Sequence, residues 1–222
     1  MKDKRLDINE IFYSIDGEGI TAGQIAIFIR LNGCNLRCSY CDTAYSLEAK
    51  NNYMDFEQIY EIIDKYPTKN ITITGGEPLF QNAVFDFIKE LSAKGYRVNI
   101  ETNGSIGIKN ITKIDNTIVT LDIKTCSSGM NESNLYKNLT YLRDSDVIKF
   151  VVGNIEDLDF TYKVIDHYSP RGHIFLSPVY GSIKPAEIVD YMKDKSNENV
   201  RLQLQMHKFI WDPDKREYDR FI

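Results

Sequence analysis

Seven short apolar runs rich in β-branched residues punctuate the chain: Ile25 to Leu31, Ile71 to Thr74, Arg97 to Glu101, Thr117 to Ile123, Val147 to Val152, His173 to Ser177 and Val200 to Gln205. Each is bounded by polar or Gly/Pro residues, and helical patterns lie between most of them. Strands joined through helices must cross over with a right hand. The alternation therefore predicts a parallel sheet, either an open doubly wound layer or a partial barrel, with chemistry at the carboxyl ends of the strands. Asp55 and Gln58 have the spacing of a capping box, and Phe56, Ile59, Tyr60, Ile63 and Tyr66 form an apolar stripe that Pro67 ends. A second helix carries Val84, Phe85, Ile88 and Leu91 on one face and closes at Gly95; Pro185 opens a third, with Ile188, Val189 and Met192 inward. A full eight-repeat barrel takes about 250 residues. At 222 residues the chain fits an α/β fold of incomplete, curved (β/α)6-barrel type. No repeat, low-complexity tract or linker divides it, so residues 1–222 read as one domain with a short N-terminal segment and a C-terminal extension.

Directly after the first of these runs stands GCNLRCSYCDT, which places Cys34, Cys38 and Cys41 with three and then two residues between them. A loop so spaced can bring three thiolates to three corners of a cubic [4Fe-4S] cluster and leave the fourth iron open to a small molecule. The alternative is a zinc site completed by a fourth ligand, although zinc modules usually pair two CxxC knuckles and no second one is present. Cys126 stands apart and reads as a small core residue at a strand end. Thr74-Gly75-Gly76-Glu77-Pro78 falls where the second core strand ends, where glycines let backbone approach a ligand and the Glu77 carboxylate can pair with an ammonium group. Arg30 interrupts the run IAIFIRLNGC just before the cysteines, and a charge in such a place calls for a partner or a ligand.

The three cysteines with GGEP resemble the radical S-adenosylmethionine superfamily. SIDGEG at 14–19, FIRL at 28–31, the cysteine loop, and QMHK at 205–208 followed by Trp211 narrow the resemblance to the 7-carboxy-7-deazaguanine synthase family over nearly the whole chain. That resemblance implies a radical core, a [4Fe-4S] cluster and S-adenosylmethionine as cofactors, and Mg2+. It further implies 6-carboxy-5,6,7,8-tetrahydropterin as substrate, ring contraction with loss of ammonia, an electron donor such as flavodoxin, and a homodimer. Carried over residue by residue, it places Ile15, Asp16, Gly17, Glu18, Arg30, Thr74 and His207 at the substrate, which makes the N-terminal segment substrate-binding. Cys34, Cys38 and Cys41 would hold the cluster and Thr43 the Mg2+. Tyr40, Cys41, Asp42, Gly76, Glu77, Asp122, Ile123, Lys124, Ser177, Pro178, Val179 and Tyr180 would contact S-adenosylmethionine. Tyr40 is equally readable as an apolar lid, Asp42 as a metal ligand or a cap, and Glu101-Thr102-Asn103 as a plain turn or a cofactor contact. Asp16 departs from the Gln often found there, exchanging an amide for a pure acceptor. The tail from Trp211 onward is expected to pack its tryptophan and leave its charges in water.

A net charge of -5 argues against a broad nucleic-acid surface, while a local basic pocket for a small anion remains open. The N-terminal MKDKRLDINE has no apolar signal core and no run of eighteen apolar residues occurs, so export and membrane spanning are not expected and a cytoplasmic location is. Four cysteines in a reducing compartment point to metal binding or catalysis rather than disulfides. Within enzymes the alternative reading is an activase of glycyl-radical enzymes, which has a place for Asp122-x-Lys124 but none for SIDGEG or QMHK.

Overall fold

The computed structural model describes residues 4–211. A nine-stranded sheet in the order β3-β1-β2-β4-β5-β6-β7-β8-β9 curves without closing. Its parallel body is β2 (Ile25–Leu31), β4 (Asn70–Gly75), β5 (Arg97–Thr102), β6 (Thr117–Ile123), β7 (Val147–Val152), β8 (His173–Pro178) and β9 (Val200–Leu202). These are the seven apolar runs of the sequence, with ends shifted by three residues at most. Two strands were not anticipated. β1 (Arg5–Ile15) pairs antiparallel with β2, and the short β3 (Tyr53–Asp55) covers its outer edge. A bulge between Ile8 and Glu10 explains why β1 is hard to read. Leu6 and Ile8 are buried on one phase and Ile11 on the other, so no single two-residue period runs through the strand.

Four helices support the crossovers: α1 (Phe56–Ile63), α2 (Val84–Ala93), α3 (Ile155–Tyr168) and α4 (Pro185–Lys195). The Asp55 carboxylate accepts from the Gln58 backbone N–H, and the Gln58 side chain accepts from the Asp55 N–H, completing the expected capping box. On α2 the buried face is Val84, Phe87, Ile88 and Leu91; Phe85 is only half-buried, which corrects the expected stripe. Of the third expected face only Ile188 is fully buried, with Val189 and Met192 partly so. α3 is an unforeseen helix, capped by Asn154, whose side chain accepts from the Asp157 N–H at 2.9 Å. The β5–β6 connection carries only turns and bends and the β6–β7 connection only 3-10 turns, with no α-helix in either, so the barrel-like repeat is irregular at its centre.

Side chains alternate between the two faces of the sheet. Ile27, Ile29, Leu31, Ile71, Ile73, Val98, Ile100, Val119, Leu121, Ile123, Ile148, Phe150 and Val152 form the core beneath the helices. The intervening positions, Phe28, Arg30, Thr74, Glu101, Thr120, Asp122, Lys149 and Val151, line a cavity of about 310 Å3 on the concave face. Register sets neighbours across that face: Arg30 lies beside Thr74, Glu101 beside Thr120, and Asp122 beside Lys149. No helix of the described residues is long and apolar enough to cross a membrane. Of the C-terminal tail, residues 212–222 lie outside the described residues; Trp211 itself is half-buried and lines the cavity.

Candidate active site

The loop after β2 presents Cys34, Cys38 and Cys41 to one side of the cavity, all three half-buried. Burial pushes the Cys34 and Cys38 thiols up, against a Leu36 backbone N–H to the first and the Lys124 ammonium beside the second. Cys34 Sγ also accepts from Asn103 Nδ2 at 3.7 Å. Among the described residues no three His, Cys, Asp or Glu side chains come together closely enough to share one metal ion. Three soft thiols lining one cavity fit the ligand set of a [4Fe-4S] cluster that keeps one iron free of protein. Cys126 is exposed and does not line the cavity, which corrects its reading as a core residue.

Gly75 and Gly76 pack the end of β4 against the start of the cysteine loop. At Gly76 a Cβ would come within 2.8 Å of the Cys34 Cβ, and at Gly75 (φ 148°) it would meet the Leu31 backbone within 2.6 Å of its nitrogen. Space there is thus reserved for backbone, and Gly75, Gly76 and Thr74 all border the cavity. The Glu77 carboxylate does not. Fully buried, it accepts from the Leu79 N–H (3.0 Å), the Thr102 hydroxyl (2.8 Å) and the Asn103 N–H (2.6 Å). Burial outweighs these donors and lifts its pKa to about 7. The expectation that Glu77 offers its carboxylate to a ligand is corrected: it ties the β4 and β5 loops together beneath the cysteines.

On β6, Asp122 Oδ2 accepts from Lys124 Nζ at 2.8 Å, while Asp122 Oδ1 is buried without a hydrogen-bond partner. Lys124 remains charged, since Asp122 and the Cys38 group outweigh the desolvation that opposes its charge. An unsatisfied carboxylate oxygen and a buried ammonium beside three thiols are a fitting contact for a zwitterionic amino-acid group. Ile123, between them, faces the helix-side core and cannot touch a ligand through its side chain. Tyr40 lines the cavity and donates to the Val151 carbonyl at 3.3 Å; burial and then Asp122 push its hydroxyl up to about 12. Val179 and Tyr180 reach the cavity, but Ser177 and Pro178 do not; Ser177 Oγ is buried and without a partner. The strand pleat thus corrects Ile123 and Pro178 as lining residues, whereas Ser177, on the same phase as Val151, is buried without reaching the cavity.

β1, β2 and the turn after β1 also line the cavity. Phe12 and Phe28 stack at 4.7 Å between centroids and 4° between planes, and both line the cavity. Arg30 Nε donates to Glu10 Oε1 at 2.8 Å, its guanidinium 5.8 Å from the Phe12 centroid and 5.9 Å from that of Tyr45. Ile15, Gly17 and Glu18 line the cavity. Asp16 does not: its carboxylate accepts from the Thr72 hydroxyl at 2.8 Å on the floor of the sheet, where burial raises its pKa. Its placement at a ligand is corrected accordingly. Glu18 forms a buried ion pair with Lys149 and accepts from Gln205 Nε2. Thr74 donates to Glu101 Oε2 at 2.8 Å, and burial lifts Glu101 to about 6.

At the mouth, His207 sits over Gly17, with Nδ1 only 2.6 Å from where a Cβ would stand. Burial lowers the His207 pKa, so its ring is neutral at pH 7. Lys208 Nζ reaches Asp42 at 3.4 Å and lies 5.6 Å from the Tyr180 ring centroid. Burial, which would raise the Asp42 pKa, is outweighed by Lys208 and Lys149, and the carboxylate stays below its ordinary range. Thr43, also lining the cavity, has its hydroxyl 3.8 Å from Cys41 Sγ. Lys149, Phe12, Phe28 and Glu101 are cavity residues not picked out from the sequence as substrate contacts. Lys149 carried the same signal as Arg30, a lone cation inside an apolar strand.

The Radical SAM superfamily model matches residues 28–155. A curated 7-carboxy-7-deazaguanine synthase from Clostridium acetobutylicum is 42% identical over 93% of this chain and 96% of its own length. One from Methanospirillum hungatei is 39% identical over 94% and 86%. The crystal structure of QueE from Escherichia coli superposes with a TM-score of 0.73 at 26% identity, covering 92% of this chain and 96% of that one. With the cysteine triad, the glycine-lined strand end and this likeness along almost its full length, the chain belongs to the 7-carboxy-7-deazaguanine synthase family of the radical SAM superfamily.

Proposed function

We propose that this chain converts 6-carboxy-5,6,7,8-tetrahydropterin to 7-carboxy-7-deazaguanine, with one ring nitrogen leaving as ammonia. The observation that carries the reading is a single cavity lined both by three cysteines and by a stacked aromatic pair with an arginine. The superfamily implies a [4Fe-4S] cluster and S-adenosylmethionine, which when bound supply a carbon-centred radical able to abstract a hydrogen atom from substrate.

Cys34, Cys38 and Cys41 hold the cluster. The free Asp122 oxygen accepts from the methionyl amino group and Lys124 pairs with its carboxylate, while Gly76 admits the same end of the cofactor by offering bare backbone. Tyr40, Asp42, Val179 and Tyr180 border the remainder of that molecule. The stacked Phe12 and Phe28 provide an apolar wall for a flat bicycle. Arg30 neutralises the substrate carboxylate, and Glu18 accepts from pterin N–H groups near Ile15 and Gly17. Thr74 and His207 contribute a hydroxyl and a neutral imidazole. Thr43 offers one oxygen to Mg2+, whose other ligands come from substrate and water. Substrate and cofactor together would fill much of the cavity, displacing solvent and holding the reacting groups near each other.

The whole chain acts as one domain, in the cytoplasm, as a homodimer, with a reductant of flavodoxin type. Purified anaerobically and reconstituted, the protein should form the deazaguanine product from carboxytetrahydropterin, S-adenosylmethionine, reductant and Mg2+, detected by mass spectrometry. Absence of product under those conditions overturns the reading.

A further inference from the structure

Beyond β9 the chain crosses the cavity mouth as residues 203–208 and is tied to the turn after β1 by contacts of three kinds. Gln203 Oε1 accepts from the Gly19 N–H at 2.6 Å and Gln203 Nε2 donates to the Gly19 carbonyl at 2.9 Å, so one side-chain amide satisfies both backbone groups of one residue. The Met206 N–H donates to the Gly17 carbonyl at 3.1 Å. Gln205 Nε2 reaches the Glu18 carboxylate between them. Gly19 is buried at φ 72°, and at the start of that turn Asp16 closes a bridge to Gln24 and Gly23 by backbone bonds of 2.8 Å. Glu18 is therefore bracketed by two residues whose backbones are pinned from the far end of the chain, 184 positions away at Gly19.

We infer that Gln203 is a positioning residue for substrate recognition: its paired bonds to Gly19 fix the height and direction at which Glu18 enters the cavity. Gln203 itself does not line the cavity. A side-chain amide mimicking a strand neighbour has a specific geometric demand, one donor and one acceptor at amide spacing, which no other residue type except Asn meets, and Asn is one methylene too short. Without it, the Gly19 groups turn to water and the turn gains freedom, while the cysteine loop, to which the Gln203 side chain makes no hydrogen bond, is untouched. The loss should fall on substrate affinity and leave the cofactor chemistry alone.

The inference rests on the proposed reaction for its substrate. Q203A in the reconstituted holoenzyme should raise KM for carboxytetrahydropterin about tenfold, with kcat within about twofold of the parent. Substrate binding followed by fluorescence of Trp211, the single tryptophan and a cavity residue, should weaken by the same factor. Substrate-free reductive cleavage of S-adenosylmethionine to 5'-deoxyadenosine should be unchanged. Q203E keeps the shape and the acceptor but loses the donor to the Gly19 carbonyl, and it should also raise KM, by at least about threefold; it decides the matter alone if Q203A does not fold. An unmoved KM in an enzyme that turns over normally, or cleavage of S-adenosylmethionine falling in parallel with affinity, overturns the inference and leaves the reaction standing. A parent protein that forms no product overturns the reaction, and the inference with it.

Discussion

Lys149 on β7 and Glu18 in the turn after β1 form an ion pair inside the cavity, across 131 positions of sequence, with side chains 15% and 9% exposed. Removing one partner strands the other charge in a poorly solvated place. K149M should lose about 3 kcal/mol of stability, a fall in Tm of roughly 6 to 12 °C for a chain of this size, and should weaken substrate binding because Glu18 loses its anchor. Differential scanning calorimetry and substrate titration check both, and a variant as stable as the parent would show the pair to be solvent-screened.

Glu101 gives a pH-dependent expectation. Burial lifts it from 4.5 to about 6, so the folded protein binds that proton more tightly than the unfolded chain does. Its contribution to stability therefore falls as pH rises from about 4.5 to about 6 and is level above that. E101Q, which keeps an acceptor for Thr74, should be more stable than the parent by about 2 kcal/mol at pH 8 and indistinguishable at pH 4. Urea melts at the two pH values measure the difference; an equal gain at both would disprove burial as the cause.

C34A, C38A and C41A should each lower iron and sulfide content after anaerobic reconstitution and abolish the visible absorbance of the cluster, whereas C126A should retain both. Chemical iron and sulfide assays on the four variants decide. A C126A protein without cluster would make the exposed cysteine a ligand after all.

G76A should act like a cysteine variant without altering a ligand, because the added methyl collides with the Cys34 Cβ and the Gly33 carbonyl carbon, the latter at 2.7 Å. Iron incorporation should drop severalfold, read by the same assays. Normal incorporation would show that the cysteine loop can retreat from β4.

By contrast D55A, remote from the cavity, should cost only about 1 kcal/mol through loss of the α1 cap, with turnover unchanged. Chemical denaturation and a KM measurement test the pairing of those two results.

The parallel body of the sheet was legible because each strand is a short β-branched stretch set off by polar or Gly/Pro residues and most are separated by helical patterns. β1 was not, since its bulge shifts the apolar phase between Ile8 and Ile11 and places Asp7 and Glu10 in buried positions. Motif spacing found the cysteines, Gly76, Asp122 and Lys124, whose positions follow from local chain geometry. It misplaced Ile123 and Pro178 because a motif names a stretch whereas the pleat decides which of its members turns inward, and it misplaced Asp16, Glu77 and Ser177 because their side chains are buried, the two carboxylates in hydrogen bonds to the protein itself. Alternation was available for that purpose: Val119, Leu121 and Ile123 share one phase with the core, leaving Thr120 and Asp122 for the cavity. Gln203 carried no local signal, as its partner is a backbone at the other end of the chain.

The sheet's failure to close has a mechanical meaning. Among the described residues, the segment after β9 and the turn at Gly17–Gly19 are joined not by a ladder of main-chain bonds but by two glutamines, one amide and a histidine ring. That seam can part without unzipping a strand, at the expense of a handful of side-chain bonds. Widening the cavity at that seam therefore breaks those few contacts and leaves the strands of the sheet paired.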